Sequence, residues 1–292
     1  MEKKGRELDS LVSESLLGRI GQEVTQFELI LDEEDYERWE LREKIVKYEE
    51  KNKIEEIENL LEKYKTLIPE EKELHLQFCD YYDVKLRLNA LKNDGFGENE
   101  KIAEIDEINQ ILYRALSYSK PDFLFYEEKK QLYNPMEINL ILLLIHYEYK
   151  GWRNKNKEKE LLNLLDYVKR IYSEGEKEKV GIKILFELVR LAEKEENDKK
   201  VIKYADDAIE FISQGRGVKL SADFHFIKAK SMEKSYKKME NSGITRKDCI
   251  EECLMAYYVY DIMNLFQQRD EVETYCRETL GWHITKQETL SD

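Results

Sequence analysis

Apolar side chains recur at steps of three and four along most of the chain, and the alternation expected of strands is absent. The clearest stretch runs from Ile182 to Ser213. Leu185, Leu188, Val189 and Ala192 form one stripe, the polar break Glu195-Glu196-Asn197-Asp198 follows, and Val201, Ile202, Ala205, Ala208 and Ile209 form a second. Two amphipathic helices joined by so short a break predict an antiparallel pair with facing stripes, and Ala205 and Ala208 allow close approach. A unit of about 30 residues cannot bury its own faces, so it calls for similar units on both sides.

The same pattern predicts about twelve helices in all. A short one spans 8–22, residues 23–31 lead on from it, and acids at 32–35 open a helix that runs to Lys51. Its partner carries Ile54, Ile57, Leu60, Leu61 and Tyr64. Helices follow over 70–93 and 102–118, then an irregular stretch over 121–134. Pro135 suits the first position of a helix over 136–149, which is apolar nearly all round and therefore predicted to be deeply buried. Further helices are predicted over 161–172, 220–239, 246–267 and 271–280. The expected fold class is all-α, as an array of antiparallel helix pairs. Residues 1–31 form an N-terminal helix and linker, and 32–292 form a single repeat domain.

Composition narrows the function. The chain has 292 residues and a net charge of −14, so it is a poor partner for phosphate backbones. Its longest unbroken apolar run, Leu140–Ile145, is far short of the roughly 20 residues of a membrane span. Four cysteines in so long a chain read as reduced thiols and predict a cytoplasmic protein. The expectation is therefore no membrane and no direct nucleic-acid contact.

The helix pairs resemble degenerate tetratricopeptide (TPR) repeats. Leu185, Leu188, Val189, Ala192, Val201, Ala205 and Ala208 sit where that repeat packs, and Arg114-Ala115-Leu116 followed by Pro121 is similar to its end. This likeness implies a right-handed superhelical array, an α-solenoid. Three further pieces carry a second resemblance: Leu16-Leu17-Gly18-Arg19-Ile20-Gly21, the run Leu132–Leu140, and the helix Cys253–Asn264 with Gly281-Trp282-His283-Ile284-Thr285 after it. In this order they resemble the helical sensor region of peptide-pheromone-responsive transcription regulators of the Rgg and PlcR type. That resemblance implies a concave groove for a short peptide, a homodimer through the C-terminal helices, and a role in quorum sensing. The helix-turn-helix domain that precedes the repeats in that family is not in this sequence.

The first helix of each pair would line such a groove. In the 182–194 helix the inward positions are Lys183, Phe186, Glu187, Arg190 and Lys194. Cations, an aromatic ring and a carboxylate together suit an extended peptide and its carboxylate end. Asn139 stands out on its apolar helix, because a carboxamide both donates to and accepts from a peptide backbone. His225 and Lys228 are candidates on the next first helix. Each has a plainer reading as a capped, paired or solvated side chain.

Two other constellations point to metal. Asp206-Asp207-x-x-Glu210 has the spacing with which isoprenoid-type enzymes hold magnesium, but no second cluster faces it, and a solvated acidic face is the simpler reading. Cys249, Cys253, Cys276 and His283 could close a zinc site, yet their spacing fits no standard finger and packing accounts for helix-borne cysteines. No cofactor and no catalytic residue is expected. The sequence thus predicts a non-enzymatic peptide sensor, with a general protein-interaction scaffold and a magnesium-dependent enzyme as alternatives.

Overall fold

The computed structural model describes residues 10–20, 33–51, 53–68, 72–92, 95, 97–121, 132–149, 156–213, 218–238 and 243–284. The linker expected at 23–31 lies outside these residues, as does most of the irregular stretch at 121–134. The described residues form twelve α-helices and no strand. They are α1 (Ser10–Arg19), α2 (Glu33–Glu50), α3 (Ile54–Thr66), α4 (Glu73–Lys92), α5 (Glu98–Ser119), α6 (Pro135–His146), α7 (Lys157–Ile171), α8 (Glu174–Lys194), α9 (Asp198–Ser213), α10 (Val218–Lys237), α11 (Arg246–Ile262) and α12 (Phe266–Thr279). No helix is long and apolar enough to cross a membrane.

The chain divides into two compact units, Met1–Lys157 with Arg170–Ser173, and Glu158–Lys169 with Glu174–Asp292. In the first, α2 to α6 each pack on the next helix in sequence, and α1 lies against α2 and α4. Its interior includes Ile57, Leu61 and Tyr64 of α3, Phe78 and Tyr82 of α4, and Ile108, Leu112 and Leu116 of α5. Helix α6 is buried nearly all round, as its composition predicts: Ile138, Leu140, Ile141, Leu142, Leu144 and Ile145 are all inside. Asn134 and Glu137 cap it reciprocally, with Pro135 at the first position.

Helix α1 is seated on this unit by polar contacts. The Ser10 amide and hydroxyl both donate to Asp35, at 3.0 and 2.8 Å. The buried Arg42 guanidinium donates to Ser10 Oγ at 2.9 Å and to Glu14 at 2.8 Å. At the other end of α1, Arg19 pairs with the fully buried Glu137, and Asn134 donates to Ser15 at 2.9 Å. A Cβ on Gly18 would sit 3.2 Å from Pro135 Cδ, so the missing side chain is what lets α1 approach the start of α6. The Leu16–Gly21 and Leu132–Leu140 pieces, distant in sequence, meet here.

In the second unit α8 to α12 pack in sequence. Of the stripes read from the sequence, Leu185, Leu188, Val189 and Ala192 of α8 and Val201, Ala205 and Ala208 of α9 are buried, Ile202 and Ile209 are half-buried, and Ile212 joins the interior. Helix α8 begins eight residues before Ile182, where the sequence stripe opens. A Cβ on Gly181 would fall 2.7 Å from the Phe211 ring, so Phe211 seats against bare backbone. A second core joins Phe226, Ala229 and Met232 of α10 to Cys249, Cys253, Ala256, Tyr257 and Tyr260 of α11 and Val272 and Cys276 of α12.

One element is corrected. A single helix over 246–267 followed by a short one over 271–280 is instead α11 ending at Ile262 and α12 starting at Phe266. Asn264 takes a left-handed conformation (φ 57°) and the Leu265 amide donates to Tyr260 O at 2.8 Å. Glu148 after α6 and Glu196 after α8 close their helices in the same way, with Tyr149 N on Leu144 O and Asn197 N on Ala192 O, both 3.0 Å or less.

Candidate functional site

The face of the second unit that the sequence singles out is built on α8 and α10. Phe186 of α8 packs on Phe224 of α10 with ring centroids 4.2 Å apart, so the two helices touch through these rings. Lys183 precedes Phe186, and Glu187, Arg190 and Lys194 follow it, along α8 at helical steps. Lys183 is exposed, while Arg190 donates to Glu187 at 2.8 Å and keeps 27% of its side chain accessible. Lys228 stands one turn beyond Phe224 on α10. A peptide carboxylate reaching Arg190 would therefore meet a guanidinium already oriented by Glu187.

Charges on α9, α10 and α11 form a chain beside this face. Lys228 Nζ lies 2.6 Å from Asp206 and 2.5 Å from Glu252, and His225 Nδ1 lies 2.6 Å from the other Glu252 oxygen. Burial opposes ionisation of Glu252, but hydrogen bonds from His225 and Lys228 and the Lys228 charge outweigh it and hold the carboxyl below its ordinary range. Burial likewise works against the Lys228 ammonium, and hydrogen bonds to Asp206 and Glu252 raise it above its usual value. Lys228 and His225 thus clasp three helices together. The sequence reading identified His225 and Lys228 but neither Glu252 nor the part played by Asp206; the signal was the chance of cross-helix pairing, which spacing on one helix does not reveal.

Asn139 is on α6 in the first unit, half-buried and already engaged with neighbours. The structure links Phe186 to α10 through Phe224, pairs Arg190 with Glu187 on α8, and joins His225 to Lys228 through Glu252.

The metal alternatives fare differently from one another in detail. Asp206 is committed to Lys228, and among the described residues no group of three or more His, Cys, Asp or Glu is arranged to hold a metal. Cys249, Cys253 and Cys276 are fully buried in the apolar core of α10–α12, with Cys249 Sγ donating to Thr245 O at 3.4 Å, while His283 is exposed. Burial pushes the Cys249 thiol up to about 11. These thiols act as small apolar side chains.

At the end of the second unit an apolar row is left outside. Met255, Tyr258 and Ile262 recur along one side of α11, and Met263 and Phe266 continue it across the turn; Ile262 is 76% exposed. Tyr257 and Tyr260 point into the core, so the Tyr257-Tyr258-x-Tyr260 cluster splits between inside and outside. The chain matches no family model, and no curated protein or solved structure shows significant similarity to it.

Proposed function

We propose that this chain is a peptide-responsive regulatory domain, a TPR-like α-solenoid that binds a short linear peptide along α8 and α10 and passes the signal to transcription control. The observation that carries the reading is the accessible Arg190, pre-oriented by Glu187, on the same helix as the exposed Lys183 and as Phe186, whose ring meets Phe224 of α10. Such a row offers cations for a peptide carboxylate and an apolar edge for a side chain, with little ordering cost on the protein side. The resemblance to the Rgg and PlcR sensors supports the class of ligand and the cytoplasmic setting.

The test is thermal stabilisation by a library of short peptides with free carboxylate ends. Binding raises the melting temperature in proportion to ligand excess over Kd. Arg190→Ala removes the gain if the reading holds. If Arg190→Ala and Lys183→Ala leave the gain intact, the site is elsewhere; if no peptide stabilises the chain and only folded proteins do, it is a scaffold.

The row Met255–Phe266 supports a second partner, another copy of this chain. Its accessible apolar area is on the order of 500 Å², toward the upper end of the largest patch a soluble monomer leaves and a large part of the roughly 800 Å² each partner gives to a stable interface. Light scattering checks it: Ile262→Asp should yield a monomer where the parent chain is a dimer, and a parent chain that is monomeric at all concentrations rejects it.

A further inference from the structure

A depression of about 390 Å³ lies in the first unit, between α5 and the end of α6, lined by Ala103, Asp106, Glu107, Asn109, Gln110 and Tyr149. The sequence pattern gave no hint of it. Ala103, Asp106 and Gln110 recur at steps of three and four on α5, and the small side chain at 103 leaves room beside the longer ones. Tyr149 forms the opposite wall. Its ring is stacked on Tyr113, with centroids 5.4 Å apart and planes 16° from parallel, so it presents a fixed aromatic surface.

The polar groups here share one character. Asp106 and Glu107 are carboxylates on exposed positions of α5. Glu107 also accepts from Arg87 at 3.0 Å, which leaves part of its charge for other donors. The last turn of α6 brings the negative end of a helix to the same place. Asn109 is 4% exposed; its amide donates to Tyr147 O at 3.0 Å, and its Oδ1 has no hydrogen-bond partner. Leaving a buried acceptor unmet is costly, so an oxygen in this state beside an accessible depression marks a place where a donor is wanted.

We infer that this depression is a binding site for a guanidinium group, carried by an arginine side chain of a peptide or by an arginine-derived amine. Carboxylates, a carboxamide oxygen, a helix C-terminus and the face of a tyrosine all favour a donor-rich cation. A planar guanidinium has five N–H groups in a fork and lies flat on an aromatic ring, which suits the Tyr149 wall better than a compact ammonium does. The site belongs to the first unit and is separate from the proposed peptide contacts on α8 and α10, so neither depends on the other.

The experiment is a titration of the full chain with N-acetyl-arginine methylamide, followed through the Asn109 side-chain NH₂ and the Tyr149 ring resonances by NMR. The uncharged control is N-acetyl-citrulline methylamide. Saturable shifts at both residues are expected, with a Kd on the order of 1 mM. Gln110→Lys, which sets a cation on an exposed position of the wall without touching the core, should weaken binding at least about tenfold, and Tyr149→Ala should weaken it less. Equal binding of the citrulline probe, undiminished binding in Gln110→Lys, or no saturable shift up to about 20 mM overturns the proposal.

Discussion

Helix α1 and helices α10–α12 are held in place by opposite means. Helix α1 leans on charged and hydroxyl groups that lie inside the protein: Asp35, Arg42 and Glu137 are each 5% exposed or less, and Leu16 on α1 itself is half in solvent. Helices α10–α12 close chiefly on methyls, rings and thiols, with Val272, Cys253 and Cys276 fully inside, and the Glu252 clasp between α10 and α11 lies beside that apolar core. A polar seat is specific, because each group has one partner in one direction, and it is brittle, because removing one partner strands the others. An apolar core accepts a smaller side chain at a cost set by lost contact and leaves no charge behind.

The sharpest way to break that comparison is Arg42→Ala. It deprives Glu14, Ser10 and the Tyr64 hydroxyl of a shared donor and leaves Glu14 without its cation. The expected loss is about 3–5 kcal/mol, concentrated in the first unit. Hydrogen exchange should show the amides of α1 and α2 losing protection while those of α10–α12 keep theirs. Val272→Ala is the matching change at the other end. It should cost about 2 kcal/mol, by denaturant unfolding, with protection reduced in α11 and α12 alone. If Val272→Ala proves the more damaging of the two, the contrast between brittle and tolerant seats is wrong.

Acid titration sharpens the contrast further, since two carboxylates respond with opposite sign. Burial raises Glu14 above its ordinary 4.5, although Arg42 pulls the other way. A raised carboxyl binds its proton more tightly when folded, so the seat of α1 weakens as pH climbs from 4.5 through the folded value. Glu252 is held below 4.5, so its contribution is complete above that pH and is lost as pH falls through the depressed value. Exchange measured from pH 3 to 7 should therefore show α1 opening toward the upper end and the α10–α11 contact opening toward the lower end. In Glu252→Gln the acid-side loss at α10–α11 should shrink by about 1 kcal/mol or less, since its side chain is partly solvated.

The sequence made the helices legible and the cross-helix chemistry illegible, for one physical reason. A stripe such as Leu185–Leu188–Val189–Ala192 is local: its spacing states that a helix buries that side, whatever lies opposite. The inward stripes of α8 and α9 and the all-round burial of α6 follow from this. Asp206 shows the converse. Its neighbours Asp207 and Glu210 suggested a metal ligand, while its actual partner, Lys228, lies on another helix 22 positions on and is visible only once α9 and α10 are side by side. Arg19 and Glu137 are 118 positions apart, and no periodicity on either helix foretells their pairing. Of the candidate site, Phe186 and Arg190 were singled out from one side of α8, and His225 and Lys228 from α10; Glu252, which meets both His225 and Lys228, was not.

The missed break between α11 and α12 yields the last and smallest effect. Gly and Pro punctuate helices most clearly, and Met263-Asn264-Leu265 contains neither, so the apolar steps through Tyr260, Met263 and Phe266 read as continuous helix. What ends α11 is the left-handed turn at Asn264, a conformation that costs most side chains about 1 kcal/mol and asparagine somewhat less. Glycine carries no such cost, though it loses more freedom on folding. Asn264→Gly should therefore leave the turn intact and change stability by a few tenths of a kcal/mol toward the stable side, whereas Asn264→Val should destabilise by about 1–2 kcal/mol. If the valine variant is neutral by thermal unfolding, α11 does not end on a left-handed residue and the exposed row from Met255 to Phe266 does not bend there.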